Sequence, residues 1–235
     1  MKKAIELMDL IGAIAKRDLA ATEKILADCS GLACEALSVG ASRGDPNTFF
    51  LPALQHYLYK GDTALHAASA AHFPEAIDLL VVSGAVIDSA NRRGAQAIHY
   101  AVDGNPALSG WDDCAQKLCV KALISYGANQ NCFDSSGVAP LHRAVRNRCA
   151  GAVLTLVENG ADIHLKSKKG STALHLAVQN TGRGGSGAES AKEAQLEIID
   201  LLLKSGASLQ DRDARGKTVY DCIQANWLRD YLQNR

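Results

Sequence analysis

Thr63-Ala64-Leu65-His66-Ala67-Ala68 returns further along the chain as Thr172-Ala173-Leu174-His175-Leu176-Ala177. Two looser copies stand between them, Ala97-Ile98-His99-Tyr100-Ala101 and Ala139-Pro140-Leu141-His142-Arg143-Ala144. A second marker, Gly-Ala, recurs at Gly84-Ala85, Gly127-Ala128, Gly160-Ala161 and Gly206-Ala207. The four histidines lie 33, 43 and 33 residues apart, and each of the first three glycines precedes the next motif histidine by 15. From histidine to glycine within a unit the distances are 18, 28, 18 and 31, so the basic unit has 33 residues. Insertions of ten and thirteen residues fall in the same part of it. Counting 15 from Gly206 reaches Asp221, where Thr218-Val219-Tyr220-Asp221 reads as a decayed copy. A period of this length marks stacked supersecondary units, none able to bury its apolar face alone.

The residues inside the period predict two helices per unit. Thr63 supplies an oxygen for a first helical turn, and the short Ala-rich run after it allows close packing. A second helix shows the 3.6-residue apolar period in Ala76, Ile77, Leu79, Leu80 and in Ile198, Ile199, Leu201, Leu202. Pro74 suits the first turn of such a helix, and Gly84 and Gly206 suit a left-handed termination. Asn91–Gly94, Asp134–Gly137 and Asp213–Gly216 read as tight turns between units. Ala4–Lys16 with Leu19–Cys29, and the segment Val219–Leu232, read as helix pairs at the two ends.

The 33-residue unit with Thr-Pro-Leu-His-like openings and Gly-Ala closings resembles the ankyrin repeat. The resemblance implies an all-α ankyrin-repeat solenoid with helical caps at both ends, a single domain over 1–235. Its expected parts are a cap and irregular segment at 1–58, repeats at 59–91, 92–134, 135–167 and 168–212, and a cap at 213–235. It also implies a structural role for His66, His99, His142 and His175, bonding one repeat to the turn of the next. Partners would meet the turn tips and the inner helix surface.

Composition is that of an ordinary folded chain, 47% apolar and 21% charged, with 25 acidic against 25 basic residues. That balance gives no reason to expect nucleic acid or a membrane surface. Residues 1–90 carry seven Lys/Arg against eleven Asp/Glu, whereas 91–235 carry eighteen against fourteen. Seven cysteines without Cys-x-x-Cys spacing read as reduced, mostly buried thiols rather than a zinc site. Glu6 and Asp9 interrupt the apolar N-terminal stretch, which argues against a signal peptide, and the expected location is cytoplasmic.

Three segments invite a chemical reading. Gly182–Gly187 matches the G-x-G-x-x-G dinucleotide pattern, but it follows a helix over Thr172–Gln179 instead of a strand. A loop in Thr181–Gly187 fits better, with Ser186 and Glu189 capping the next helix. In the ten-residue insertion, Trp111 beside Asp112 and Asp113 is either a staple at a helix start or an exposed anchor. Phe49–Tyr59 holds four of the twelve aromatics and is either local core or a contact surface. No convergent nucleophile, base and orienting group is visible, so no enzyme, cofactor or metal is expected. The chain reads as a monomeric, non-catalytic binding module for another protein bearing an acidic patch. Arg92, Arg93, Lys168, Lys169, Arg215 and Lys217 at the turns, Arg143 and Arg146 on a first helix, and Trp111 are its candidate contacts. A self-assembling structural unit is the alternative, with an enzyme or a nucleotide binder using the inserted loops behind it.

Overall fold

The computed structural model describes residues 6–42, 44, 47–179 and 188–234. The loop expected over Thr181–Gly187, its dinucleotide pattern and the Ser186 cap lie outside them. The described chain falls into two compact units, Met1–Ala101 with Cys114–Asn129, and Val102–Asp113 with Gln130–Arg235.

In the first unit α1 (Leu7–Ala15) packs on α2 (Leu19–Asp28), whose start is capped where the Asp18 carboxylate accepts the Ala21 N–H at 2.9 Å. The irregular segment that follows contains a two-stranded antiparallel ribbon, β1 (Phe50–Leu51) and β2 (His56–Tyr57), with Phe50 opposite Tyr57. Then come α3 (Ala64–Ala70), α4 (Pro74–Val82), α5 (Ala97–Ala101) and α6 (Asp113–Ser125). Helix α3 contacts α1, α4 and α5. Ala64, Ala67 and Ala68 are fully buried there, because only a side chain this small lets neighbouring helices approach from both sides. Pro74 occupies the first turn of α4, and Gly84 ends it with φ 96°.

The second unit holds α7 (Pro140–Arg146), α8 (Ala150–Glu158), α9 (Ala173–Ala177), α10 (Glu189–Lys204) and α11 (Asn226–Gln233). Helix α7 packs on α8 and α9, and α10 packs on the same two. The apolar stripe of α10 enters the core as Ile198, Ile199 and Leu202, each 1% exposed or less. Burial of each such side chain contributes about 1.5–3 kcal/mol, and this anchors the helix after the long insertion.

Several expectations need correction. Val219–Leu232 is not a helix pair: it holds a 3-10 turn at Tyr220–Cys222 and one α-helix, because Ile223 turns to extended backbone. The N-cap of α10 is Ala188, without a side-chain cap. The helix expected over Thr172–Gln179 is only Ala173–Ala177. Of the seven cysteines, only Cys119 and Cys149 are buried, while Cys29, Cys34 and Cys114 are exposed.

Candidate binding surface

The turn tips are built by one side chain each. The Asn91 side-chain oxygen accepts the N–H groups of Arg93 and Ala95 at 2.8 and 3.1 Å. Asp134 does the same for Ser136 and Val138 at 2.9 and 3.0 Å, and Asp213 for Arg215 and Lys217 at 2.8 and 3.0 Å. Each tip therefore carries an Asx turn, which satisfies amides that project away from the helices. Within the second unit the tips are neighbours. The Lys168 N–H donates to Gly137 O at 3.1 Å, and a Cβ on Gly137 would stand 2.6 Å from Lys168 Cβ. Gly170 lies as tightly against Ala214. Glycine is required at both for its left-handed φ and for this approach.

The four motif histidines share one geometry. Nδ1 accepts the N–H of the residue three before it: Thr63 to His66 at 3.2 Å, Gln96 to His99 at 3.2 Å, Ala139 to His142 at 3.2 Å, Thr172 to His175 at 3.3 Å. An accepting Nδ1 puts the ring proton on Nε2. From there it is donated to Ala95 O by His66 at 3.0 Å, to Leu165 O by His142 at 3.1 Å and to Lys217 O by His175 at 3.4 Å. One ring thus caps its own helix and ties it to the following segment. The Thr63 hydroxyl, expected to serve the first turn, is bonded to His66 Nδ1 at 3.0 Å. Burial holds the His66 and His142 pKa values below the ordinary one, although the Asp62 carboxylate opposes this at His66 and backbone carbonyls oppose it at His142. At Asp221 a carboxylate replaces the ring: it accepts the Thr218 N–H at 2.8 Å while Thr218 Oγ1 accepts the Asp221 N–H at 3.1 Å. These bonds hold the Asp221 carboxyl below its ordinary pKa.

The candidate contact residues are not alike. Arg92 and Arg93 are exposed but lean on one ring, with guanidinium carbons 5.5 and 4.8 Å from the Tyr59 centroid. Arg93 also donates to the Tyr59 hydroxyl at 2.8 Å, and Arg92 to Ala41 O. Trp111 is half-buried, and its ring lies so close to Gly104 that no Cβ would fit there. Arg143, placed by its sequence position on an open inner surface, is 17% exposed and holds Asp103 and Asp134, both at 2.8 Å. Burial would lower the Arg143 pKa, but these two carboxylates raise it. At Asp134 burial pushes upward, while the bonds from Arg143, Val138 and Ser136 pull the carboxyl below its usual range. Tyr100, also next to a motif histidine, accepts from Asn91 Nδ2 at 2.9 Å just as Arg143 donates to Asp134. At these two histidines the following residue therefore braces the turn that precedes its helix. Arg146, Lys168, Lys169, Arg215 and Lys217 are exposed.

Sequence reasoning missed two residues. Gln116 donates to Ala101 O at 3.1 Å, and Gln195 to Ala177 O at 2.7 Å. Each lies beyond an insertion and satisfies the last carbonyl of the preceding short helix. A glutamine at the same offset from the insertion's end was the available signal: 11 residues before Gly127 and before Gly206.

A family profile described as "Ankyrin repeat" matches residues 60–92 and 169–214, and one described as "Ankyrin repeats (many copies)" matches 123–177. Together they cover more than half of the chain. The chain belongs to the ankyrin-repeat family. It is 32% identical over 158 residues to the B-cell lymphoma 3 protein homolog of Mus musculus, covering 67% of this chain and 31% of that protein. It is 34% identical over 131 residues to the nuclear factor NF-kappa-B p105 subunit of Gallus gallus, covering 53% and 12%. The E3 ubiquitin-protein ligase KEG of Arabidopsis thaliana is 25% identical over 162 residues, covering 67% and 9%. The matched stretch thus spans about a third or less of each of these proteins. The ankyrin repeat is generally a non-enzymatic interaction domain, so the all-α repeat fold supports a protein-interaction module. Among the described residues no helix is long and apolar enough to cross a membrane.

Proposed function

We propose that this chain is a non-catalytic, monomeric module that recognises an acidic patch on a partner protein through its basic turn tips. One observation carries the reading. Lys168, Lys169, Arg215 and Lys217 are exposed on neighbouring tips of the second unit, and among the described residues none of them makes an ion pair. Like charges held side by side on braced turns leave a surface that an acidic partner would relieve. Arg143 braces the adjoining Asp134–Gly137 turn through Asp134 and is given no contact with the partner. Arg92, Arg93 and Trp111 offer further contacts, and Arg146 belongs to the cleft described below. We place the module in the cytoplasm, where its seven free thiols would stay reduced.

Replacing Lys168, Lys169, Arg215 and Lys217 together by Ser tests this once a partner is captured from lysate. Association should slow and its salt dependence flatten, since exposed charges act within a Debye length of roughly 8 Å. An unchanged association rate and salt slope would remove the tips from the binding surface.

A further inference from the structure

Behind the second-unit tips, at the far ends of α7 and α9, a cleft of about 170 Å³ opens between Arg146, Arg148, Gln179 and Gln195 over Val145 and Ile198. Its polar groups are incomplete. The Arg148 Nε–H is buried and meets no acceptor, and the Gln195 Oε1 is buried and meets no donor. The orientation of Gln195 is not free to change, because its Nε2 already donates to Ala177 O at 2.7 Å and Gln179 O at 2.9 Å. Leaving a buried polar atom unsatisfied costs about 1–3 kcal/mol. Among the described residues no carboxylate pairs with Arg146 or Arg148, and burial alone pushes the Arg148 pKa down.

Arg148 occupies the same left-handed turn between paired helices as Arg17 and His72, so its backbone is set by the fold. Arg148 has φ 58°, a left-handed conformation that glycine would adopt more cheaply. Arg17 has a comparable φ of 56° in the first unit, but its guanidinium rests on the Phe73 ring at 5.5 Å. Arg148 has no such support. An arginine beside a second arginine, with an unpartnered Nε–H and no carboxylate near it among the described residues, is arranged to meet an anion.

We infer that this cleft takes the carboxylate of a Glu or Asp residue from an extended acidic segment, with that segment's backbone N–H reaching Gln195 Oε1. The planar guanidinium presents Nε–H and Nη–H as a side-on pair that matches the two oxygens of a carboxylate. A carboxylate alone answers only half of the site, because Gln195 still lacks a donor. A peptide residue brings both groups. The inference rests on the proposed protein-binding role only for the source of the carboxylate, since the cleft and the tips use different residues.

The test is titration of the whole chain, followed by NMR of the Arg148 Nε–H and Gln195 side-chain signals, with small probes in place of a partner. N-acetyl-glutamate N-methylamide should give saturable shifts at both residues and bind at least fivefold tighter than acetate. N-acetyl-glutamine N-methylamide should give none. Arg148→Asn, which tolerates the left-handed turn, should abolish the shift at Gln195, and Arg146→Gln should weaken binding severalfold. The Lys168, Lys169, Arg215 and Lys217 serine variant should bind the probe as the parent does, so failure of the tip reading leaves this result standing. No shift at Arg148, or the same affinity in Arg148→Asn, overturns the site. Acetate binding as tightly as the glutamate probe overturns the peptide ligand.

Discussion

His66→Ala removes the ring that joins the first repeat to the turn after it; two buried backbone groups lose their partners, and the Thr63 hydroxyl, which can rotate, loses its bond to Nδ1. The Thr63 N–H no longer finds Nδ1 at 3.2 Å, and Ala95 O no longer receives the Nε2 proton at 3.0 Å. At about 2 kcal/mol for each orphaned group the loss is about 4 kcal/mol. His66→Asn can restore the acceptor for Thr63, and His66→Gln the donor for Ala95, so each should recover about half. The parent should also be acid-sensitive. Burial keeps the folded-state pKa of His66 and His142 below the unfolded value of 6.5, so the unfolded chain binds more protons in that window. The stability is present above pH 6.5 and is lost as pH falls below it, by at most about 1.4 kcal/mol per pH unit for each histidine. Both tryptophans, Trp111 and Trp227, belong to the second unit, so their fluorescence does not report on α3. Native-state hydrogen exchange of α3 and α5 amides between pH 7.5 and 5.5 is the suitable assay. Protection of α3 within about 1 kcal/mol of the parent in His66→Ala, or an unchanged acid slope there, would refute the linking role.

Gly137→Ala and Gly216→Ala have nearly the same positive φ, 67° and 76°, but only Gly137 faces Lys168, so urea melts should show losses of about 2–3 and about 1 kcal/mol. Equal losses would show that conformation alone matters. Arg143→Met removes the cation shared by Asp103 and Asp134 and should cost the second unit about 2–3 kcal/mol, while Arg146→Met should change it by less than about 0.5. Tryptophan-detected unfolding compares the two, and a silent Arg143→Met would return that residue to the candidate contacts.

The repeat was legible because its determinants are local and recur. A 33-residue spacing, glycines where a helix must end left-handed, and a histidine three residues after each N-cap are properties of short stretches. Each stretch repeats in register, so every copy corroborates the others. The two ring nitrogens of the histidine have a local partner and one in the following segment, which is the structural role the ankyrin resemblance implied for it. What stayed hidden depends on residues far apart in the chain. Whether Arg143 is a free charge or a brace is decided by Asp103, forty positions away, and nothing in the helix containing Arg143 signals it. Arg93 reads as an open turn residue until Tyr59, thirty-four positions earlier, is brought beneath it. Arg148 carries no motif; its importance arises only when α7, α9 and α10 close three sides of a cleft around it. Periodicity fixes which faces are buried, because burial is dictated by the spacing of apolar residues along a helix. The partner of a long polar side chain is set by where other segments happen to place an opposite charge or an aromatic face, and only the packed chain decides that.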